Sequence, residues 1–587
     1  IHKPALPPCG RRPTILAARG PQKSRRIEQA NDMANDTKAK KPILVGPIRH
    51  NLEAFGVAIL AAVLLKWFCI EAYQIPTSSM QPTLMGSSEA NVHDRILVNK
   101  IIQTFREPKR WDISVFKYPL QKNQNYVKRI VGMPLDNLSI GGGNIYQVEG
   151  EGADQKFVIE RKPDDVQDVM WKNVYPLRRE ARSETKSLPN IFGASPRSSA
   201  KEIDGGFTLD PNGKTARLFF RDEVDGGMVD RVWDGYPVDV ARPMRSASVK
   251  DGSGGDFFIN QERGQEIVTD VRIAANVTPT KQLKAFTMAI EVLRPDFDKI
   301  TYALIVKGKK GALEVRANNK VVGKSDDFDL SLVAGEASEL AFAHVDEQLI
   351  AWQDGSELQR WDSSEWSCRE GCVIPFSGRF EAPSNRKVIP QIICEGSGKV
   401  TLTDVRIDRD QHYTRDIAPE VINVPDGHYY MMGDNTLQSI DSRGWTAITI
   451  GVDKDDNIAP LDDPELARQI RGNKRAMDLT RAPDRDETPI ALPDMNLIIM
   501  IDEYGEILRL KGRPGSTWSP NVSFRNPNAV SGDPKAEWQA LDTTNTKGIS
   551  FVARADIQGR ALMVFYPSRP ISWLTGSAWP NRFGFVR

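Results

Sequence analysis

Between Glu53 and Glu71 the chain runs through seventeen residues, Ala54 to Ile70, in which Lys66 is the only charge. With Ala72 and Tyr73 this run reaches the lower length limit for a bilayer-spanning helix, so a single transmembrane helix is expected over 51–73. Lys66 near the exit end can snorkel to the headgroups while Trp67 and Tyr73 sit at the interface. A buried core helix is the alternative for so short a run. A cleaved leader is disfavoured, because no small-x-small site precedes the following prolines.

Beyond that run the pattern changes to short alternating stretches. Ile96-Leu-Val98, Ile113-Ser-Val-Phe116 and Tyr126-Val-Lys-Arg-Ile-Val131 read as strands, with turn signals at Lys117-Tyr-Pro119 and Met133-Pro134. Alternation in the third puts Tyr126, Lys128 and Ile130 on one face. A lysine there is either an edge-strand gatekeeper or an amine held out of water. From about 141 to 427, Gly/Asp-rich turns separate strands such as Phe286–Val292, Tyr302–Val306 and Leu349–Trp352, which predicts a β-sandwich of concanavalin/lectin-like type over about 205–408, inside an inserted region 145–426. A second polar insertion at 446–548 is expected to be loops around one hairpin near Leu497–Leu510. Strand character resumes at Phe551–Tyr566. The fold class is therefore mostly β, with core segments at 74–144, 427–445 and 549–587.

Composition adds constraints. The 587 residues suffice for about three or four domains, and a net charge of +1 gives no global basic surface, so no nucleic-acid partner is expected. Residues 1–49 hold eleven Lys and Arg against three acids, which places the side before the helix in the cytoplasm and the rest of the chain outside. Residues 1–32 have the composition of a disordered segment, and Met33 is the expected translation start. The five cysteines and six histidines form no metal-spaced set, so neither metal nor cofactor is expected. Among Cys368, Cys372 and Cys394 one disulfide is expected, leaving one thiol over.

The chemistry concentrates in Ile75-Pro-Thr-Ser-Ser-Met-Gln-Pro-Thr-Leu84. Pro76 and Pro82 each fix φ and remove a donor, which predicts a stiff, extended edge segment presenting Ser79. A serine hydroxyl needs a base to become a nucleophile. No Ser-His-Asp set is evident, and His93, the nearest histidine, accompanies no G-x-S-x-G elbow. Lysine is the other base available. To serve near neutral pH, Lys128 must lose about two to three pKa units from roughly 10.4, which burial beside Tyr126 and Ile130 can supply.

In four separated blocks the chain resembles bacterial type I signal peptidases, membrane-anchored Ser-Lys serine endopeptidases. Ile75–Leu84 is similar to the nucleophile box, Asp94-Arg-Ile-Leu-Val-Asn-Lys100 to the structural box after it, Tyr126-Val-Lys-Arg-Ile-Val-Gly-Met-Pro134 to the lysine box, and Gly433-Asp-Asn435 with Ser439-Ile-Asp-Ser-Arg443 to the last box. Gln558-Gly-Arg-Ala561 is similar to the strand downstream. The resemblance implies Ser79 as nucleophile and Lys128 as base, with the Ser79 N–H and the Thr77 hydroxyl as oxyanion hole. It implies that Ser439 orients the Lys128 amine, and that Asp441 and Arg443 form a supporting ion pair with Asp434 nearby. Ile75, Pro76, Met80, Leu84, Tyr126 and Val127 match positions that line shallow substrate pockets.

The implied partners are exported preproteins with small-x-small cleavage sites and the lipid bilayer, at the inner membrane with the catalytic part outside. The sandwich is left with an unidentified ligand. Departures are Thr436-Leu-Gln438 for Arg-Asp-Asn, Leu135 for the Gly before Asp136, His93 for a Gly, and the order Gly444-Trp445. None removes a catalytic group. The rival readings are an anchored binding protein with an inactive core, and a self-cleaving repressor. A repressor would carry a DNA-binding head, which the first 50 residues lack.

Overall fold

A computed structural model describes residues 47–81, 83–87, 92–150, 155–175, 192–220, 249–250, 256–257, 268–293, 299–367, 387–415, 421–436, 439–445, 447–459, 466–473, 490–492, 497–512, 517–518, 523–525, 537–539, 541–542, 550–566 and 584–586. The basic leader with Met33, and Cys368 and Cys372, lie outside these residues. The chain divides into two units, 1–62 and 63–587. A helix, Pro47–Leu64, runs on as a π-helical turn at Leu65–Cys69. Leu52, Phe55, Val57, Leu60 and Phe68 on this stretch are exposed.

No described helix is long and apolar enough to cross a membrane. The spanning helix expected over 51–73 is shorter at its exit, because Ile70–Gln74 is a strand that pairs residue for residue with Arg95–Asn99. The apolar run is thereby split between an α-helix that begins with the polar turns of Arg49, His50 and Asn51 and a π-helical turn holding Lys66.

The sheet that carries the four sequence blocks is built from distant parts of the chain. Its strands are β1 (Ile70–Gln74), β2 (Arg95–Asn99), β3 (Ile113–Tyr118), β4 (Gln121–Gly132), β5 (His428–Met432), β6 (Phe551–Ala553), β7 (Ile557–Tyr566) and β8 (Gly584–Phe585). Their order is β1-β2-β7-β3-β4-β5-β6, with β8 on β7. Every pairing is antiparallel. Ile96, Val98, Ile113, Val115, Ala561 and Val564 alternate inward along β2, β3 and β7 and pack with Ile75, Met80 and Leu84. On the other part of the sheet, Phe116, Tyr118, Ile130, Tyr429 and Met431 enclose Trp445. Both faces of β4 are covered from Lys128 to Gly132, which is why a lysine and an arginine are found there fully enclosed.

Residues 172–409 form a sandwich of two eight-stranded sheets, somewhat longer at its start than the 205–408 read from turn spacing. One sheet centres on Val271–Pro279 and Val400–Arg409, the other on Ala285–Leu293, Lys299–Lys307 and Lys387–Glu395. Phe286, Met288, Ile290, Leu304, Phe342, Leu349, Ile392 and Leu402 interdigitate between them in one core, as period-2 patterning requires. Cys394 is a free thiol buried in that core, and burial pushes its pKa up. It packs as a small apolar side chain, and the other two cysteines of the expected set, Cys368 and Cys372, lie outside the described residues.

The second insertion departs from expectation. The hairpin is present as Leu497–Ile501 paired with Ile507–Gly512, but it joins Ala447–Val452, Asn457–Ala459, Arg468–Asn473, Ile490–Leu492 and Leu541–Asp542 in a seven-stranded sheet rather than standing among loops. The strands are short and scattered between polar stretches, so their pairing into one sheet was hidden.

Candidate active site

The Ser79 segment is built by local hydrogen bonds. Ile75 N–H donates to the Asp94 carbonyl at 2.9 Å, and the Asp94 carboxylate accepts from Met85 N–H at 2.7 Å, which folds residues 75–85 back on themselves. The extended conformation expected across this segment holds at Thr77 and Gln81 but is broken between them: Ser78–Met80 is one 3-10 turn, closed by Gln81 N–H donating to the Ser78 carbonyl at 3.0 Å. The two prolines bias their neighbours toward extension but leave the intervening residues free to close an i→i+3 bond. The turn buries Ser79 and Met80.

Lys128 lies on β4 opposite Ser114 of β3. Its Nζ donates to Ser79 Oγ. Thr77 Oγ1 lies 3.4 Å from the same oxygen. Lys128 is 3% exposed, and burial, opposed by Asp441, lowers the pKa of its amine to about 8. Tyr126, two residues earlier on the same face, stacks on Tyr118 with ring centroids 4.3 Å apart, and its ring centre is 6.0 Å from the Lys128 amine. Burial, rather than the ring face, is what favours the neutral amine here.

The 433–436 loop leaves β5 where Met432 stands opposite Arg129. Gly433 N–H donates to Asp441 at 2.9 Å, and Asn435 N–H donates to the Ser79 carbonyl at 3.1 Å. The Asn435 side-chain amide adds a bond to the Ser78 carbonyl at 3.2 Å. Asp434 accepts from Arg129 through Nε at 2.9 Å and Nη2 at 2.7 Å, and also from the Thr83 hydroxyl. Burial would raise the Asp434 carboxyl, but the Arg129 charge outweighs it and holds the pKa below the ordinary range.

Asp441 and Arg443 form a second enclosed pair, at 2.8 and 2.9 Å, and Arg443 Nη1 reaches the Thr414 carbonyl and hydroxyl at 2.9 and 2.8 Å. Asp441 follows the same rule as Asp434, with burial opposed and overcome by Arg443. Ser439 Oγ is enclosed and has no hydrogen-bond partner among the described residues, so the bond to the Lys128 amine implied by the resemblance is not made here.

Of the six residues expected to line substrate pockets, Ile75, Met80 and Leu84 are inside the core, whereas Pro76, Tyr126 and Val127 keep some exposure. Arg129, Thr83, Asn435 and Lys172 were not singled out from the sequence. Arg129 lies inside the lysine box, but its burial, the feature that demands a counter-charge, is not legible from its neighbours in sequence.

The described residues thus bring together a hydroxyl bonded to a desolvated amine and a second hydroxyl beside it. Residues 48–193 and 383–459 match the signal peptidase family, peptidase S26. Signal peptidase I of Pseudomonas aeruginosa is 35% identical over 133 residues, which cover 21% of this chain and 43% of the relative. Signal peptidase I of Leptolyngbya laminosa is 31% identical over 134 residues, covering 22% and 62%. The chain therefore spans less than two thirds of the length of these relatives. Among solved structures, a family 7 alginate lyase aligns with 37% of this chain and 84% of its own at 11% identity and a TM-score of 0.23, a level from which nothing about function follows.

Proposed function

We propose that the chain is a serine endopeptidase that removes N-terminal signal peptides from exported preproteins, with Ser79 as nucleophile and Lys128 as general base. The observation that carries this reading is the hydrogen bond from the enclosed Lys128 amine to Ser79 Oγ, together with the lowered pKa of that amine. The neutral amine takes the Ser79 proton as Oγ attacks the scissile carbonyl. Negative charge developing on the carbonyl oxygen is met by the Ser79 N–H and the Thr77 hydroxyl, whose oxygen is 3.4 Å from Ser79 Oγ. Collapse of the tetrahedral species breaks the C–N bond, and the protonated Lys128 gives its proton to the leaving amine. A water then attacks the acyl-serine with Lys128 again as base, releasing the signal peptide and restoring Ser79.

The Ser439 hydroxyl, enclosed and without a hydrogen-bond partner among the described residues, is the group we assign to holding the Lys128 amine in line during the cycle. Asp434 with Arg129, and Asp441 with Arg443, keep the loop and the base in place without touching the reacting atoms. The substrate is an extended chain with small residues before the cut. It adds to the segment leading from β1, an edge strand, with Pro76, Tyr126 and Val127 as the accessible part of its contact surface.

Anchoring in the inner membrane, with the leader on the cytoplasmic side, is supported by the row of exposed apolar side chains from Leu52 to Phe68 and by the basic residues ahead of it. The test is cleavage of a preprotein bearing an Ala-x-Ala site by the detergent-solubilised chain. Cleavage by the wild type and its loss in both Ser79→Ala and Lys128→Ala is the expected result. A wild type that cuts no such substrate would overturn the reading and move attention to the sandwich as a binding module.

A further inference from the structure

The stretch entering the sandwich is fastened to it at several points. Lys162 pairs with Asp346 at 2.5 Å and Asp410 at 2.8 Å, and Gln167 Nε2 donates to Asp410 at 2.6 Å. The Arg272 guanidinium lies 4.7 Å from the centre of the Trp171 ring and itself bonds Asp408. Strand Lys172–Tyr175 then pairs with Val400–Arg409, Lys172 opposite Arg409.

The Lys172 side chain reaches from this framework toward the serine site, beside the bond from the Thr436 hydroxyl to the His412 carbonyl at 3.0 Å. Its Nζ donates to the backbone carbonyl of Asp434 at 2.9 Å. Asp434 is the residue whose carboxylate Arg129 grips, and its neighbour Asn435 holds the backbone of Ser78 and Ser79. Packing does not explain an amine here, since Lys172 is 6% exposed and a methionine would fill the same volume without the cost of burying a polar group. The partner explains it.

We infer that Lys172 is a positioning residue of the Ser79 site, through which the inserted sandwich sets the 433–436 loop and so the attitude of the nucleophile. The inference rests on the peptidase reading. The charged groups acting on the amine are Arg409 from the paired strand, Asp410 beyond it, Asp434 from the loop and Arg129 from β4. Burial first, and then Arg409, lower its pKa to about 7.

The test uses the full chain in detergent, a preprotein substrate, and Lys172→Met beside Lys172→Arg. For Lys172→Met, kcat is expected to fall by about 10- to 100-fold, the scale of a misplaced reacting group, with KM within about twofold of wild type. Amide hydrogen exchange should quicken at 433–436 while the sandwich strands stay protected. Lys172→Arg, which keeps a donor, should regain part of the lost kcat.

Unchanged kcat in Lys172→Met, or unchanged exchange at 433–436, would overturn the inference while leaving the peptidase reading intact. If Lys172→Met loses protection throughout the sandwich, Lys172→Gln takes its place under the same criteria. A wild type that does not cleave would overturn the peptidase reading instead, and the exchange at 433–436 would still decide whether Lys172 sets the loop.

Discussion

Arg129 holds both carboxylate oxygens of Asp434, at 2.9 and 2.7 Å, from the position next to Lys128, and neither partner of the pair is more than 1% exposed. A bidentate pair out of water is geometrically strict, and losing one partner leaves an uncompensated buried charge. Arg129→Met is therefore expected to destabilise the protein by about 3–5 kcal/mol, and Arg129→Met with Asp434→Leu together by much less. Urea unfolding of the three variants checks this. The Asp434 pKa is depressed in the folded state, so its contribution is present above the unfolded value of about 3.9 and is lost as pH falls through the lower folded value. Stability should accordingly fall in acid, and more gently once the pair is removed.

Lys128 gives the opposite sign. Its folded pKa of about 8 lies below the ordinary lysine value, so the unfolded chain binds more protons between about 8 and 10.4 and stability rises with pH through that window. At neutral pH the buried amine lowers stability, a burden that the proposed role as base explains. Lys128→Met should be inactive yet more stable at pH 7 by roughly 1–3 kcal/mol, an outcome thermal unfolding would reveal. Only the neutral amine can accept the Ser79 proton, so kcat/KM should climb tenfold per pH unit on the acid side of an inflection near 8. An acid limb that persists unchanged in the Lys128→Ala variant's residual activity would count against this assignment.

The legible parts of this protein were those whose chemistry is local in sequence. Ser79 between its prolines and Lys128 on an alternating strand could be read from a few neighbours. Arg129 and Asp434 could not be joined that way, because 305 residues separate them and each alone is an ordinary charged residue. The 3-10 turn at Ser78–Met80 was hidden by the same prolines that exposed the segment, since they argue for extension on either side of it. Lys172 sits among charges in an insertion, where nothing distinguishes a solvated lysine from one bonded to a catalytic loop. The sandwich was legible because its long strands alternate cleanly, and the sheet at 447–542 was not because its strands are brief and far apart in the chain.

Leu135 shows how a departure from the family pattern is borne. It stands where a glycine is usual, and it adopts φ +68° with its side chain 70% exposed. A left-handed leucine costs about 1–2 kcal/mol, against which a glycine would lose about 0.5–1 kcal/mol of unfolded-chain freedom. Leu135→Gly should therefore raise stability by up to about 1 kcal/mol with cleavage unchanged. A lower melting temperature in that variant would mean that the leucine makes a compensating contact.

Gly433 has no such latitude. A Cβ placed there would lie 2.2 Å from Ser439 Oγ and 2.5 Å from the Ser79 carbonyl oxygen. The serine side chain could rotate away, but the Ser79 carbonyl is backbone, fixed by the Asn435 N–H at 3.1 Å. Gly433→Ala must push the loop and the nucleophile apart, which lengthens the contact between Ser79 Oγ and the Lys128 amine. A displacement of about 1 Å at a reacting pair costs on the order of 100-fold in rate, so kcat should fall by at least that much while the sandwich and the rest of the sheet remain folded. Near wild-type turnover in Gly433→Ala would mean that the 433–436 loop does not brace Ser79. The positioning roles argued for Asn435 and Lys172 would then fall with it, since both reach the nucleophile only through that loop.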